Sequence, residues 1–486
     1  MKPDSSLSLL PLMLDDVPEG LRVVLEQEGV PAKNQAGQDS PGRFVLWDSD
    51  RKRLPELRPG QQPIDVADFR QGARDPFAML LDESSALHCW NIDGLRLEEE
   101  VARVDRRAVR RWIVSQLRRR VEELGGIWLR VSPFPRPYRT AFNFRIDYDE
   151  YDPEHFANTM DAVDRLPEAF THFVCGSSYQ GQADALARLR NADVGSHGFR
   201  HHAYLDKQAN LTNIRRGVEA LRKEGLEPFG FAAPHGRFNR GLLSSLEELG
   251  IAYSSEFGLA YDDLPFCPRG SDALQVPAHP ICLGLFLDAA AAARSRGESI
   301  TDADAAERAE RYFLRIAQRK LRAGEPIFLY GHPPRRLGAY PRVLHSRLDL
   351  VENDSSIWKT SLREFAGWWR ERRRVSLRVD RQGDAFRVTA DGLAGSTRFA
   401  AEVQWKNQAA FLPVEPVAEF SLDSLDFDPR GTSRLRRALR VDRPASLRDF
   451  VKRRIDWETV TPVEELKDGT WRGWAKRFFR HAVGKP

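Results

Sequence analysis

The chain has 486 residues, with 74 Lys and Arg against 70 Asp and Glu and a formal net charge of +4 at pH 7. At roughly 150 residues per domain, this length predicts about three domains and excludes a small binding module as the whole protein. Hydrophobic residues make up 41% of the chain and charged residues 30%, which is typical of a globular protein and excludes disorder or a fibre. The four cysteines have no CxxC spacing, so we expect neither a disulfide framework nor a Cys-rich zinc site.

Residues 1–132 predict an N-terminal α/β domain of unknown role. A strand-like run at 43–47 is followed by apolar residues at three- and four-residue steps over 109–124, which indicates an amphipathic helix. The Pro-rich segment 132–137 is a candidate domain boundary. The first residues lack a basic segment followed by a small-residue cleavage site, so we expect a cytoplasmic protein, with peripheral contact to the inner membrane as an open option.

Between residues 138 and 370, short apolar runs alternate with helical stretches. This alternation predicts a parallel sheet, open or closed into a barrel, and the chemistry of a barrel lies at the C-terminal ends of its strands. The predicted strands cover 142–146, 172–175, 193–195, 229–233, 252–254 and 327–330, and the clearest predicted helices cover 183–190, 211–223, 241–249 and 305–322.

The remaining chain predicts a small β-rich module at 375–470 and a basic, aromatic tail at 471–486. Residues 430–486 contain sixteen Lys and Arg against seven Asp and Glu, a local excess of nine positive charges. Two interpretations of the tail stay open: an anchor on a membrane surface, or a helix that docks its aromatic side chains on the body of the protein. Nucleic-acid binding ranks last, because no recognised module accompanies the charge.

Carboxylates end the first predicted strand of the middle region. Asp147 and Asp149 follow the apolar run at 142–146, and residues two apart on a strand point the same way. A strand interior rejects unpaired charges, and a bound cation is a common remedy for two carboxylates held close together. The pair is therefore a candidate part of a metal or acid–base site.

Histidines follow two later strands. His197 and His201 are four residues apart, a spacing that places both on one face of a helical turn and suits a divalent ion. Together with a carboxylate, they form a set of two imidazoles and one oxygen ligand, which leaves coordination positions open for water and substrate. His332 ends the strand predicted at 327–330 and is expected to face the same barrel mouth.

These motifs, in this order, resemble the polysaccharide deacetylase family, also called the NodB-homology or family 4 carbohydrate esterase group. Asp147 and Asp149, with one residue between them, resemble the Asp-x-Asp form of the family's first motif. His197 and His201 resemble the second motif, with Gly198 where a hydroxyl residue is usual. The likeness covers somewhat under half of the chain.

The third motif departs from the family's pattern. Residues 232–236 are similar to it, but the arginine that normally orients the base aspartate is Ala232 in this chain. We expect another group to support the base, with His235, His279 and Arg145 as candidates. The Asp and Trp of the fourth motif have no clear counterpart, and a barrel with weakened catalysis is therefore kept as an alternative to a working enzyme.

The resemblance implies a distorted (β/α)7 barrel and a role for each matched residue. Asp149, His197 and His201 are implied to hold a divalent metal. Asp147 is implied to be the general base, and His332, in a segment similar to the fifth motif, the general acid. Zinc is the default ion, and cobalt, nickel, manganese and iron suit the same ligands.

The implied reaction is removal of an N-acyl (acetyl) group from an amino sugar in a polysaccharide, peptidoglycan or lipid-linked glycan. Two alternatives remain: hydrolysis of a small non-sugar or cyclic amide, and a catalytically weakened barrel that binds glycan or membrane. The partners expected are the glycan substrate and, through the tail, a membrane surface, without nucleic acid. The oligomeric state stays open.

Overall fold

The computed structural model describes residues 7–35, 42–70, 74–261, 264–393, 398–406, 408–429, 447–466 and 469–483. The α-helices of these residues are α1 (Glu19–Glu28), α2 (Pro76–Met79), α3 (Arg106–Glu123), α4 (Pro153–Val163), α5 (Ala183–Ala187), α6 (Lys207–Lys223), α7 (Arg240–Glu248), α8 (Leu283–Ser295), α9 (Asp302–Ala323), α10 (Arg342–Val351), α11 (Leu362–Arg372), α12 (Leu447–Arg454) and α13 (Trp471–Val483). The strands are β1 (Leu12–Asp15), β2 (Ala32–Asn34), β3 (Phe44–Trp47), β4 (Gln62–Asp65), β5 (Ser85–Ile92), β6 (Leu95–Ala102), β7 (Trp128–Val131), β8 (Thr140–Tyr148), β9 (Phe170–Val174), β10 (Val194–Ser196), β11 (Gly230–Phe231), β12 (Tyr253–Ser254), β13 (Leu274–Gln275), β14 (Ile327–Gly331), β15 (Ile357–Lys359), β16 (Ser376–Gln382), β17 (Ala385–Asp391), β18 (Ala400–Trp405), β19 (Gln408–Pro413), β20 (Val417–Ser421) and β21 (Asp428–Pro429).

The largest sheet is parallel and curls into an incomplete barrel. Its strand order is β13-β12-β11-β10-β9-β8-β14, and β15 pairs with the start of β8. Within the described residues no ladder joins β13 to β14, so the ring of strands stays open there. The prediction of a distorted (β/α)7 barrel with additional domains is confirmed, with β8 to β14 as the seven strands.

The sequence analysis missed two barrel strands and predicted too many residues for a third. β13 and β15 have two and three residues, and β11 covers only two of the five residues predicted at 229–233. Strands of two or three residues are too short for an alternation of apolar and polar residues to reveal them reliably, so β13 and β15 were missed although β10 and β12 were predicted.

A hairpin from the N-terminal region packs beside the open side of the barrel. β5 and β6 form this antiparallel pair. Its Val101 packs with Phe257, Cys282 and Tyr330, which follow β12, precede α8 and lie on β14 respectively. The backbone N–H of Ala102 donates to the carbonyl of Phe257 at 3.0 Å. The N-terminal region therefore contributes directly to the wall of the barrel.

The N-terminal and C-terminal regions share a sheet. β7 pairs with β18 in an antiparallel sheet of order β21-β19-β18-β7, and β16, β17 and β20 form a second antiparallel sheet. Arg372, buried at the end of α11, donates to the backbone carbonyls of Glu28, Val131 and Ser132. These contacts cross the boundaries predicted near 132 and 375, so the folded regions are joined through side chains and a common sheet.

The predicted C-terminal tail forms helix α13 over Trp471–Val483. Residues 484–486 of the tail and residues 430–446 of the predicted β-rich module lie outside the described residues. Among the described helices, none combines the length and apolar composition needed to cross a membrane.

Candidate metal centre

The ends of β8, β10 and β14 bring the predicted site residues together. The Oδ1 atom of Asp149 lies 3.2 Å from Nε2 of His197 and 3.2 Å from Nε2 of His201. Nε2 of His332 lies 3.5 Å from the other Asp149 oxygen. The candidate ligand atoms of Asp149, His197 and His201 all lie within 4.8 Å of one another. Parallel strands explain this convergence, because their carboxyl ends meet at the same edge of the sheet.

The segment from His197 to His201 is a loop, so the prediction of a helical turn is wrong. Gly198 has φ of 80°, a left-handed conformation that glycine adopts without a steric penalty. Asn213 of α6 holds the loop, because its Oδ1 accepts from the N–H of Arg200 at 2.7 Å and its Nδ2 donates to the Arg200 carbonyl at 3.0 Å. This loop brings the two imidazoles together with ring centroids 5.0 Å apart.

The two ring nitrogens of His197 have different partners, and Nε2 is the one that faces Asp149. Nδ1 lies 2.8 Å from the carbonyl oxygen of Ala232, and since a carbonyl can only accept, Nδ1 carries the hydrogen. In the neutral imidazole, Nε2 then carries the lone pair that faces the Asp149 carboxylate, whose buried Oδ1 has no hydrogen-bond partner among the described residues. A lone pair facing a carboxylate oxygen is the arrangement of two ligands around a cation, so these residues fit a divalent metal.

The electrostatics of the ligands agree with that fit. Burial disfavours the charged form of Asp149, but the surrounding imidazoles outweigh it and hold the pKa of Asp149 well below its ordinary value. Burial also opposes protonation of His201, but the Asp149 carboxylate outweighs burial and raises the pKa of His201. The Oγ of Ser178 fixes the backbone here by donating to the Asp149 carbonyl at 2.5 Å.

Arg145 supports Asp147, two residues away on the same strand. Its Nε and Nη2 donate to the two carboxylate oxygens of Asp147 at 2.7 and 2.5 Å, and both side chains are buried. Its Nη1 donates to the carbonyl of Ser255 at 2.5 Å. Burial alone would raise the pKa of Asp147, but Arg145 outweighs it and holds the pKa below its ordinary value. Of the three candidates to take the place of the missing arginine, Arg145 is the one that hydrogen-bonds to Asp147.

The other two candidates lie elsewhere. His235 has φ of 58° and places its ring 4.8 Å from that of the metal-ligand candidate His201, at the mouth of the site. Nε2 of His279 lies 2.9 Å from the hydroxyl of Tyr312 on α9. His235 therefore belongs to the rim of the metal centre, and His279 packs against a barrel helix.

His332 lines a cavity beside the candidate ligands. The cavity has a volume of about 380 Å³ and is lined by Asp149, His332, Asp288 and Arg336, among others. Burial lowers the pKa of His332 to about 4, so its imidazole is uncharged at neutral pH. Arg336 was not predicted as a site residue, and only its position after a strand-end histidine could have indicated it.

Comparisons with known proteins match the barrel region of the chain. Residues 144–254 match the family model described as polysaccharide deacetylase. No curated protein matches the chain. Among solved structures, a protein assigned as a polysaccharide deacetylase from Mycobacterium smegmatis has 16% sequence identity and a TM-score of 0.39, over 49% of this chain and 93% of that one. A protein with the same assignment from Pseudomonas aeruginosa PAO1 has 16% identity and a TM-score of 0.39, over 48% of this chain and 91% of that one. PuuE allantoinase has 16% identity and a TM-score of 0.39, over 49% of this chain and 93% of that one.

The matched segment begins on β8 and ends with β12, so it contains Asp147, Asp149, His197 and His201. It stops before His332, which directly follows β14. The barrel region of this chain therefore matches the polysaccharide deacetylase family model over residues 144–254.

Proposed function

We propose that this protein is a metal-dependent hydrolase that removes an N-acyl group, such as acetyl, from an amino sugar in a polysaccharide, peptidoglycan or lipid-linked glycan. The observation that carries the proposal is the convergence of Asp149, His197 and His201 beside Asp147, a buried carboxylate held ionised by Arg145. Two imidazoles and one carboxylate leave coordination positions open, which is typical of catalytic rather than structural metal sites.

Asp149, His197 and His201 would hold the ion, with zinc as the default and cobalt, nickel, manganese or iron as ions that suit the same donors. The chemistry supplied by a divalent ion there is Lewis acidity, which polarises an acyl carbonyl and makes water easier to deprotonate.

Asp147 is proposed to act as the general base that takes a proton from the attacking water. Its pKa lies below the ordinary value, so the side chain is a carboxylate at neutral pH and can accept a proton. Arg145 occupies one acceptor position on each carboxylate oxygen and fixes the carboxylate plane, and each oxygen keeps a second lone pair for water.

His332 is proposed to protonate the departing amine. With a pKa of about 4 it is uncharged at the start of turnover, so it must gain a proton before it can give one. The proton that Asp147 removes from water is sufficient for this, and the overall reaction then consumes one water and releases one carboxylic acid and one amine. The polar lining of the neighbouring cavity is suited to the hydroxyl groups of a sugar.

Metal content is the first test. We expect purified protein to contain one divalent ion per chain and the His197→Ala variant to lose it, measured by elemental analysis. His345→Ala removes a histidine from α10, outside the candidate site, and is the matched control that should keep the ion. Equal ion content in the wild type and His197→Ala would contradict the proposed metal site.

Turnover is the second test. Acetate release from an N-acetylated amino-sugar oligomer, with excess metal, should fall about 10²- to 10⁴-fold in Asp147→Asn, because a positioned base contributes about that factor. The variant should keep its metal, since Asp147 lies outside the candidate ligand set. A cyclic ureide supplied in parallel separates the sugar substrate from a small cyclic amide, and preferred turnover of the ureide would overturn the assignment to a sugar.

A further inference from the structure

Helix α13 buries charges and exposes aromatic rings, the reverse of an ordinary surface helix. Trp474 and Phe478 are 68% and 57% exposed, and their rings stack with centroids 5.8 Å apart. Trp471, also exposed, continues the same stripe at a three-residue step. On the opposite side, Lys476 and Arg480 are each only 1% exposed.

Ion pairs fix this orientation. Lys476 donates to a carboxylate oxygen of Asp456 at 3.1 Å, and Arg480 donates to Glu458 at 2.9 Å. A buried charge that loses its partner costs several kcal/mol, so rotating the helix to hide its aromatic rings would strand two cations. The exposure of Trp474 is therefore a consequence of the fold.

A second short helix extends the exposed apolar surface. In α12, Leu447, Phe450 and Val451 are 80%, 61% and 41% exposed. We call the exposed apolar side chains of α12 and α13 the aromatic face; its members are Leu447, Phe450, Val451, Trp471, Trp474, Phe478 and Phe479. The two helices are neighbours, because Nε of Arg472 on α13 donates to the carbonyl of Arg454 at the end of α12 at 3.3 Å, and a cluster of large exposed apolar side chains is typical of an interaction site.

Positive charge surrounds the aromatic face. Arg448, Lys452, Arg453 and Arg454 lie on α12, and Arg477 lies on α13 between Trp474 and Phe478. Two copies of this face would repel each other, whereas an anionic surface would attract it.

We propose that the aromatic face binds the surface of a membrane that contains anionic lipids. Trp and Phe side chains insert at the boundary between headgroups and acyl chains, and Lys and Arg gain attraction from anionic headgroups. The two helices would lie in the plane of the membrane surface, as amphipathic surface helices do.

The same segment is attached to the candidate metal centre. Asp456 accepts from the backbone N–H of Leu205 at 3.2 Å and lies 3.0 Å from Nε2 of His202, the residue after His201. Glu465 accepts from Arg200 at 2.8 Å. Membrane binding would therefore hold the candidate metal centre close to the lipid surface. Where the proposed function is correct, this position restricts the substrate class to N-acylated glycans carried on a lipid.

The test is co-sedimentation of the full chain with vesicles. We expect binding to vesicles of mixed phosphatidylcholine and phosphatidylglycerol, weaker binding to phosphatidylcholine alone, and loss of the charge-dependent part at high salt. The double variant Trp474→Ala/Phe478→Ala should lower the ratio of bound to free protein about tenfold or more, because two interfacial rings no longer bury apolar surface. Leu54→Ala and Val417→Ala remove apolar side chains that are 54% and 45% exposed outside the face, and should leave binding unchanged.

Three results would overturn the proposal: no binding to the mixed vesicles, equal binding by the wild type and the double variant, or a doubled mass in light scattering that the double variant abolishes. The last result would assign the face to a second copy of the chain. Thermal unfolding and metal content of the double variant should match the wild type, because both rings are exposed and away from the candidate ligands. Vesicle binding is measured without turnover, so failure of the hydrolase proposal and failure of this one are distinguishable.

Discussion

At the scale of single residues, Arg145 shows how a missing motif residue can be replaced from a different position. Residues two apart on a strand lie on the same side, so Arg145 reaches Asp147 along β8 itself. Ala232, at the position of the family's arginine, contributes its backbone carbonyl instead, which fixes the ring of His197. Asp147, the proposed base, is therefore supported from its own strand, while position 232 supports His197, a proposed metal ligand.

We predict that Arg145→Lys lowers kcat about 10- to 100-fold on the substrate of the proposed reaction, with KM and metal content close to those of the wild type. Lysine keeps the positive charge but cannot make the bidentate hydrogen bond that fixes the plane of the Asp147 carboxylate. A small misplacement of a catalytic group lowers the rate by about this factor. Arg130→Lys, at an ion-paired arginine of β7, is the matched control and should keep wild-type kcat. An unchanged kcat in Arg145→Lys, or equal loss in both variants, would refute a positioning role.

At the scale of elements, helix α6 supports the histidine loop through a position that lacks a side chain. A Cβ on Gly217 would lie 2.7 Å from the backbone carbon of Gly198 and 2.9 Å from the nitrogen of Phe199. The helix can therefore touch the loop backbone directly, which glycine allows and any other residue obstructs. The loop between His197 and His201 depends on this packing as well as on Asn213.

We predict that Gly217→Ala destabilises the protein by up to about 2 kcal/mol and weakens metal binding. Helix propensity alone favours alanine by about 1 kcal/mol, but forcing a methyl group into a closed contact costs about 1–3 kcal/mol and shifts the loop. Gly367→Ala on α11 is the control, because its Cβ would meet nothing within 4 Å and should stabilise by about 0.5–1 kcal/mol. Urea unfolding and metal titration of the two variants measure both effects; equal signs of the stability change would contradict the prediction.

At the scale of the whole molecule, the main hydrophobic core joins all three regions of the chain. One cluster contains Leu12 of the N-terminal sheet, Phe328 of the barrel and Val403 of the C-terminal sheet. Charging an ionisable side chain that is buried in its neutral form lowers the stability of the fold. His172 of β9 is such a group, with its ring stacked on Tyr148 and its Nδ1 2.9 Å from the Tyr148 hydroxyl.

We predict that the free energy of unfolding falls between pH 7 and pH 5 and that His172 accounts for about 2 kcal/mol of the loss. Burial lowers the pKa of His172 from 6.5 to about 3, so over this range the unfolded chain binds a proton that the folded protein does not. The contribution of uncharged His172 to the free energy of unfolding is present above pH 6.5 and is lost as the pH falls toward 3. Urea titrations of the wild type and His172→Gln at both pH values should show a profile flatter by that amount in the variant, and parallel profiles would disprove the prediction.

The residue types at the ends of apolar runs were enough to predict which side chains meet at one edge of the barrel sheet. Asp147, Asp149, His197, His201 and His332 could be identified because parallel strands deliver their last residues to one edge, whatever the details of the connecting loops. The alternation of strands and helices predicted a parallel sheet, open or closed, because it depends on local periodicity alone, and the resemblance to the family implied the seven-unit barrel.

Contacts between segments far apart in sequence decided the rest. The histidine spacing favoured a helical turn, but Gly198, Asn213 and the close packing of α6 made it a loop. The composition of the tail left two orientations of α13 open, and burial of Lys476 and Arg480 against acidic partners selected the one that exposes the aromatic rings. Which face of a helix is buried depends on the partners that surround it in three dimensions, and one segment's composition does not specify those partners.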